Sequence, residues 1–279
     1  MQQGFDLESF DPDEILLLLG SLAISLVGFV RWFARLRPVS KLGAHPFQRL
    51  PFYAALSIGF ALVALVVWRW ADQQIRDNTG YVLLVFFMGG AWITVSSAFF
   101  PWLGIGLRDD VFERRNAAAA LALGGAIIAI FLIFGAATAG QGPSFWNNVF
   151  SGGLATAVFL LLWLLLAVFG QAHVSVSEER DIASGVRVGG FLLALGLILG
   201  RATAGDWQSS AQTVQELFRD GWIAGPLTFL AIFAERSLRP DKAKPQLPVV
   251  SHGLVPAMVF LAIAVYWVMR LGWWEGALR

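Results

Sequence analysis

The apolar residues of this chain neither alternate nor form a narrow stripe. They come in long runs broken by short polar or charged turns. Eight runs stand out, at approximately 14–34, 52–70, 79–103, 116–138, 147–169, 183–204, 221–237 and 253–273. A helix rises about 1.5 Å per residue, so about 20 residues cross a hydrocarbon core of roughly 30 Å. In lipid, backbone N–H and C=O groups must find partners within the protein, which leaves helices and closed barrels as spanning structures. Runs such as LLLWLLLAVF lack the alternation of a barrel strand. The predicted fold class is therefore all-α, a polytopic transmembrane helix bundle of about eight helices.

Within that pattern one stretch occurs twice. Glu113–Gly140, shifted by 65 positions, lies on Glu178–Gly205 with 13 of 28 positions identical. The identities include Glu113/Glu178, Arg115/Arg180, the pairs Gly124-Gly125/Gly189-Gly190 and the closing A-T-A-G. The match extends backwards, since Phe87-x-Gly89-Gly90 corresponds to Phe150-x-Gly152-Gly153 at an offset of 63. The sequence thus predicts a duplicated two-helix hairpin. Two helices per unit insert both copies in the same direction, which predicts a pseudo-twofold axis along the membrane normal. The expected units are an N-terminal helix pair at 1–78, one hairpin at 79–140, a second at 141–205, and an interfacial segment with a C-terminal helix pair at 206–279. Apolar side chains gain little by meeting one another in lipid, and close backbone approach at small residues is the usual adhesive. Gly89, Gly90, Gly124, Gly125, Gly152, Gly153, Gly189 and Gly190 are accordingly expected at the packing seam of the two hairpins.

Composition agrees with a lipid environment. Hydrophobic residues make up 57% and charged residues 14%, with mean hydropathy +0.66, against roughly 25% charged residues in a soluble domain. Of the 20 Lys and Arg residues, 14 fall in the four loops on one side and 6 on the other. Positive loops stay inside, so both termini are expected outside and the four basic loops cytoplasmic. The net charge of +1 gives no reason to expect nucleic acid. The absence of Cys removes disulfides, thiolate ligands and thiol nucleophiles. The mixed segment 206–220 is expected to lie on the outer interface.

The pattern F-x-G-G, a charged turn, then E-x-x-N-x-A-A opening a Gly-Gly helix resembles the YjfL-like inner-membrane proteins, domain of unknown function 350. The resemblance covers about residues 79–205. Asn116, Ala118 and Ala119 keep the motif in the first copy; in the second, Asp181 stands where the Asn would be, followed by Ala183. Helices 1, 2, 7 and 8 lie outside it. The resemblance implies a bacterial inner membrane and genomic company with envelope-stress and polyamine-related genes, and it implies no settled activity.

The residues richest in chemistry are the charged turns. Asp109, Asp110, Glu113, Arg115 and Asn116 form one, and Glu178, Arg180 and Asp181 form its counterpart. Two readings compete. The turns meet near the pseudo-twofold as a cation or proton entry site or a docking surface, or Asn116 and Asp181 cap helices whose positive ends attract the carboxylates. His45, His173 and His252 all fall on the predicted cytoplasmic side, but without metal or haem motifs around them. Arg187 and Arg201 lie near helix ends, where snorkelling is expected. No catalytic motif is present, and neither a metal nor a cofactor is expected. The favoured reading is a structural or regulatory membrane module that docks protein partners, or a second copy, on its cytoplasmic loops. A channel or transporter with a path at the seam is the alternative.

Overall fold

The structure is a computed structural model and describes residues 10–35, 50–240 and 247–272. The acidic N-terminal tail, His45 with the basic residues around it, most of the proline-broken linker and the aromatic C-terminal end lie outside the described residues. The long helices are α1 (Pro12–Arg35), α2 (Leu50–Trp70), α4 (Thr79–Ser97), α5 (Ala117–Ala137), α6 (Phe145–Leu165), α7 (Ile182–Thr203) and α10 (Val255–Leu271). Shorter ones are α3 (Gln73–Asp77), α8 (Ser210–Gly221) and α9 (Ala224–Ser237).

Seven spans are long and apolar enough to cross a membrane, and α8 with α9, bent by 46°, makes an eighth if the pair is one span. The expected seventh helix at 221–237 corresponds to α9, which does not pass as a span by itself. Its 14 residues rise about 21 Å, short of a hydrocarbon core. The segment expected on the interface forms the amphipathic α8, capped by the Ser209 side chain on Gln212 N. The third run also ends early. α4 stops at Ser97, and Phe100–Leu103 form a tight 3₁₀ turn closed by Gly104 at φ 87°.

The core is built on α5 and α7. α5 is apolar on every side, and a helix of that kind has to be surrounded. It packs against α2 on one side and α7 on the other, and α7 packs in turn on α10. The order α2, α5, α7, α10 follows from small residues. A Cβ added at Gly59 of α2 would strike Phe131 of α5, one at Gly125 of α5 would strike the Gly189 backbone of α7, and one at Gly190 of α7 would strike Ala257 of α10. α1 packs on α4, and α6 lies against both α5 and α7. The outer helices present Leu16, Val30, Leu161, Phe229, Phe233 and Met269 outward, as a lipid-facing surface requires.

The recurring A-T-A-G sequences end α5 and α7 in the same way. Thr138 Oγ1 donates to Gly135 O at 2.7 Å, and Thr203 Oγ1 to Gly200 O at 3.3 Å. Gly140 (φ 100°) and Gly205 (φ 139°) then leave the helix in a conformation that favours glycine. Gly140 N donates to Trp70 O at 3.2 Å and Gly205 N to Ala139 O at 3.3 Å, so the end of each helix is tied to the one before it in the row.

Candidate functional site at the charged turns

Two irregular turns lie side by side at the opposite face. The first runs from α4 through a π turn, Leu107–Glu113, to Asn116 at the start of α5. The second runs from α6 through π turns Leu166–Gly170 and Val174–Glu178 to Asp181 at the start of α7. Both fold in the same manner. Arg115 and Arg180 each take φ 54°, in the left-handed region. Asn116 N donates to Asp110 O at 2.9 Å and Asp181 N to Ser175 O at 3.0 Å.

Each turn ends in a side-chain cap. Asn116 Oδ1 accepts from Ala118 N and Ala119 N, and Asp181 Oδ2 accepts from Ser184 N at 2.7 Å. Both residues are buried, so their roles are consistent with capping. Asn116 also reaches across, its Nδ2 donating to Val176 O at 2.6 Å, and Ser177 Oγ donates to Gly104 O at 3.0 Å. These two bonds join the turns into one surface. Asp110, also buried, accepts from Gly106 N at 2.7 Å and from Arg114 at 3.2 Å.

Other charged groups stay at the surface. Glu113 pairs with Arg108 in its own turn at 2.8 Å, and Glu179 with Arg239 at 3.3 Å. Arg108, Asp109, Glu113, Arg114, Glu178, Glu179 and Arg180 are all exposed, while Arg115 is half-buried. His173 packs over Gly104, with Nδ1 at 3.1 Å from Ala167 O, and His252 begins the α10 end with Nδ1 at 2.9 Å from Ser251 Oγ.

Of the eight glycines expected at the seam of the two hairpins, Gly125, Gly189, Gly152 and Gly153 lie between α4–α5 and α6–α7, and the other four do not. Gly125 and Gly189 face each other across α5 and α7. Gly124 looks instead toward Pro51 and Ala55 of α2, and Gly190 toward Ala257 of α10. Gly89 lies under Phe134, Gly90 against Ser25 of α1, and Gly152 and Gly153 against Trp92 of α4.

Arg187 departs from expectation. It does not snorkel: its side chain and that of Glu235 are each 1% exposed and form a two-pronged ion pair, 2.5 Å at Nε and 3.0 Å at Nη2. Ser184 Oγ, Leu238 O and the His252 carbonyl accept its remaining donors. A guanidinium keeps its charge when buried, so it must be neutralised where it lies, and every branch of this one has an acceptor. Each partner looks unremarkable in the sequence, being one charge near the end of an apolar run. Only the packing of α9 on α7 makes them a pair, and no local signal announced it. Arg201, at the other end of α7, donates from Nε to Gly272 O at 2.9 Å.

Helix length, apolar outer surface and charged turns on one face define a multi-pass helical membrane protein. Over residues 74–203 the chain matches the family model of the Domain of Unknown Function DUF350. The matched span runs from α3 to the end of α7, so α1, α2 and α8–α10 lie beyond it. No curated protein and no solved structure matches the chain.

Proposed function

We propose that this protein is a bacterial inner-membrane module of structural or regulatory type that docks a soluble partner on its cytoplasmic charged turns. One observation carries the reading: seven exposed charged side chains of both signs stand on two turns held by buried Asn116, Asp110 and Asp181. A rigid base with mixed charge above it favours a specific protein surface, because the geometry of the charges is set before the partner arrives. Groups consumed by capping hold the base, and the exposed ones, including the surface pairs Arg108–Glu113 and Glu179–Arg239, present the charge pattern. The 14-to-6 split of Lys and Arg, counted over all four loops expected on that side, favours the cytoplasmic side, with both termini outside, and the family resemblance favours an envelope-stress setting.

We further infer that α4–α5 and α6–α7 are copies of one hairpin. The shared φ of Arg115 and Arg180, the paired caps and the paired A-T-A-G ends support this. The alternative, a transport path between the copies, has little room where the Gly125 and Gly189 backbones touch.

The test is site-specific photocross-linking in living cells from positions 113 and 178, with position 74 on the other face as control. The reading expects the same discrete adduct from both turn positions and none from the control. Absence of an adduct, together with ion flux through proteoliposomes above that of empty vesicles, would favour the channel instead.

A further inference from the structure

A cavity of about 420 Å³ lies between α1, α4 and α6, a volume that holds a small ligand. Its lining is apolar apart from three hydroxyls and the Trp92 indole. It opens beside Ile24, Val95 and Phe99, all exposed on the outer surface of the bundle. In a bilayer that opening admits what is dissolved in the hydrocarbon. The three helices run in the same direction: Tyr81 meets both Glu14 and Phe145 near their starts, and Gly28 meets Thr94 further along.

The hydroxyls are the informative groups. Within a helix a hydroxyl commonly donates to the carbonyl one turn back, and Thr94, Thr203 and Thr228 each do so. Ser21, Ser96 and Thr156 behave otherwise. They are 8%, 4% and 6% exposed, all three line the cavity, and none donates a hydrogen bond to any described residue. Thr156 Oγ1 accepts from Trp92 Nε1 at 3.1 Å, which leaves its own hydrogen aimed elsewhere. Buried hydroxyls without partners are costly, so the cavity suits an occupant that brings acceptors.

Two of the three converge. Thr156 on α6 is level with Trp92 on α4, and Ser96 follows Trp92 by one turn, so the two hydroxyls differ in height by about 5–6 Å. Trp92, Ser96 and Phe99 share one face of α4 at i, i+4 and i+7, which sets an aromatic ring on either side of Ser96. Ser25 donates to Phe87 O at 2.7 Å, so Ser21 on α1 stands about two turns above Trp92. Depth narrows the choice of occupant. Thr156 lies about 16 Å into the span Phe145–Gly170, near its middle. The ester oxygens of a phospholipid stay at the surfaces of a core roughly 30 Å thick, and an acyl chain has no acceptor at all. A flat ring with carbonyls at opposite corners and an apolar tail meets each requirement.

We propose that this groove binds an isoprenoid quinone. Its ring lies between Trp92 and Phe99, where aromatic faces favour a planar partner, and its carbonyls accept from Ser96 and Thr156. The tail leaves past Met88 and Leu17, beside Ser21. Such a site is independent of what the charged turns bind and of whether the hairpins are copies.

The test uses the full-length protein in nanodiscs, a short-tailed azido-ubiquinone as photoreactive probe and decylubiquinone as unlabelled competitor. Labelling is expected to saturate, to fall within 88–99 or 149–160, and to be displaced by decylubiquinone but not by oleate. Ser96→Ala is expected to raise the half-saturating concentration about 3–10-fold, the effect of one hydrogen bond, and Ser21→Ala to change it less than about 2-fold. A Cβ at Gly153 meets only Trp92, at 3.8 Å, so Gly153→Leu grows into the cavity and is expected to abolish displaceable labelling. If that variant fails to fold, the contrast between Ser96→Ala and Ser21→Ala carries the test. Displacement by oleate as effective as by decylubiquinone would make this a groove for acyl chains and overturn the proposal. So would half-saturation unchanged in Ser96→Ala.

Discussion

Arg180 has a backbone conformation that its side chain does not favour. At φ 54° the Cβ crowds the following carbonyl, at about 1–2 kcal/mol for an ordinary residue. Arg180→Gly is expected to hold or raise stability by up to about 1 kcal/mol, whereas Arg180→Val is expected to lower it by about 1–2 kcal/mol, read as opposite shifts in thermal midpoint. The second residue-scale expectation concerns the buried pair. Removing one member leaves the other charged and without its counter-ion in the core, so Arg187→Met and Glu235→Leu should each cost about 3–5 kcal/mol. The double replacement should recover most of that, since two well-packed apolar side chains are often as stable as a buried pair. Denaturation of all three variants in one detergent decides it, and two single losses that simply add would contradict the pairing.

Elements rather than residues decide how the turns behave. Glu113 is paired within its own turn by Arg108, and the turns are joined by Asn116 and Ser177, neither of which involves Glu113 or Glu178. Glu113→Gln and Glu178→Gln are therefore expected to be additive within about 0.5 kcal/mol, as independent sites are. A coupling beyond about 1 kcal/mol in thermal melts would mean that the carboxylates share a site after all. Gly125→Leu should be far more damaging than either, because a side chain there meets the Gly189 backbone, which cannot move aside as a rotamer would. Loss of folded protein is the expected outcome, while Gly225→Leu, open on that side, should be tolerated. The spans were legible because lipid imposes one rule on every residue of a run. The caps were legible too, since Asn116 and Asp181 precede their helices by a fixed offset. The Arg187–Glu235 pair was not, because its members are 48 residues apart and only tertiary packing buries them. Nor was the neighbour of each glycine, since a small residue announces close approach without naming the helix that approaches.

At the scale of the whole molecule the remaining question is which way the bundle faces. Tyr81 at the start of α4 donates to Glu14 at the start of α1 at 2.9 Å. Gly140, beyond α5, is bonded to Trp70 at the end of α2, and Gly272 to Arg201 near the end of α7. These bonds gather the start of α1 and the end of α10 at one face, with the charged turns at the other, which requires an even number of crossings. The broken pair α8–α9 must then count as one of them, although neither half is long enough alone. In the sequence, 14 of the 20 basic residues fall in or beside the four segments expected to be cytoplasmic, and an excess of that kind favours the cytoplasmic side for the face of the turns. A reporter fused after the last residue is accordingly expected to read as external, and one inserted between α9 and α10 as cytoplasmic. If both read as cytoplasmic, α10 does not cross and Arg201 cannot hold its far end. If the two readings are exchanged, the bundle is inverted, and the charged turns face the wrong compartment for a cytoplasmic partner.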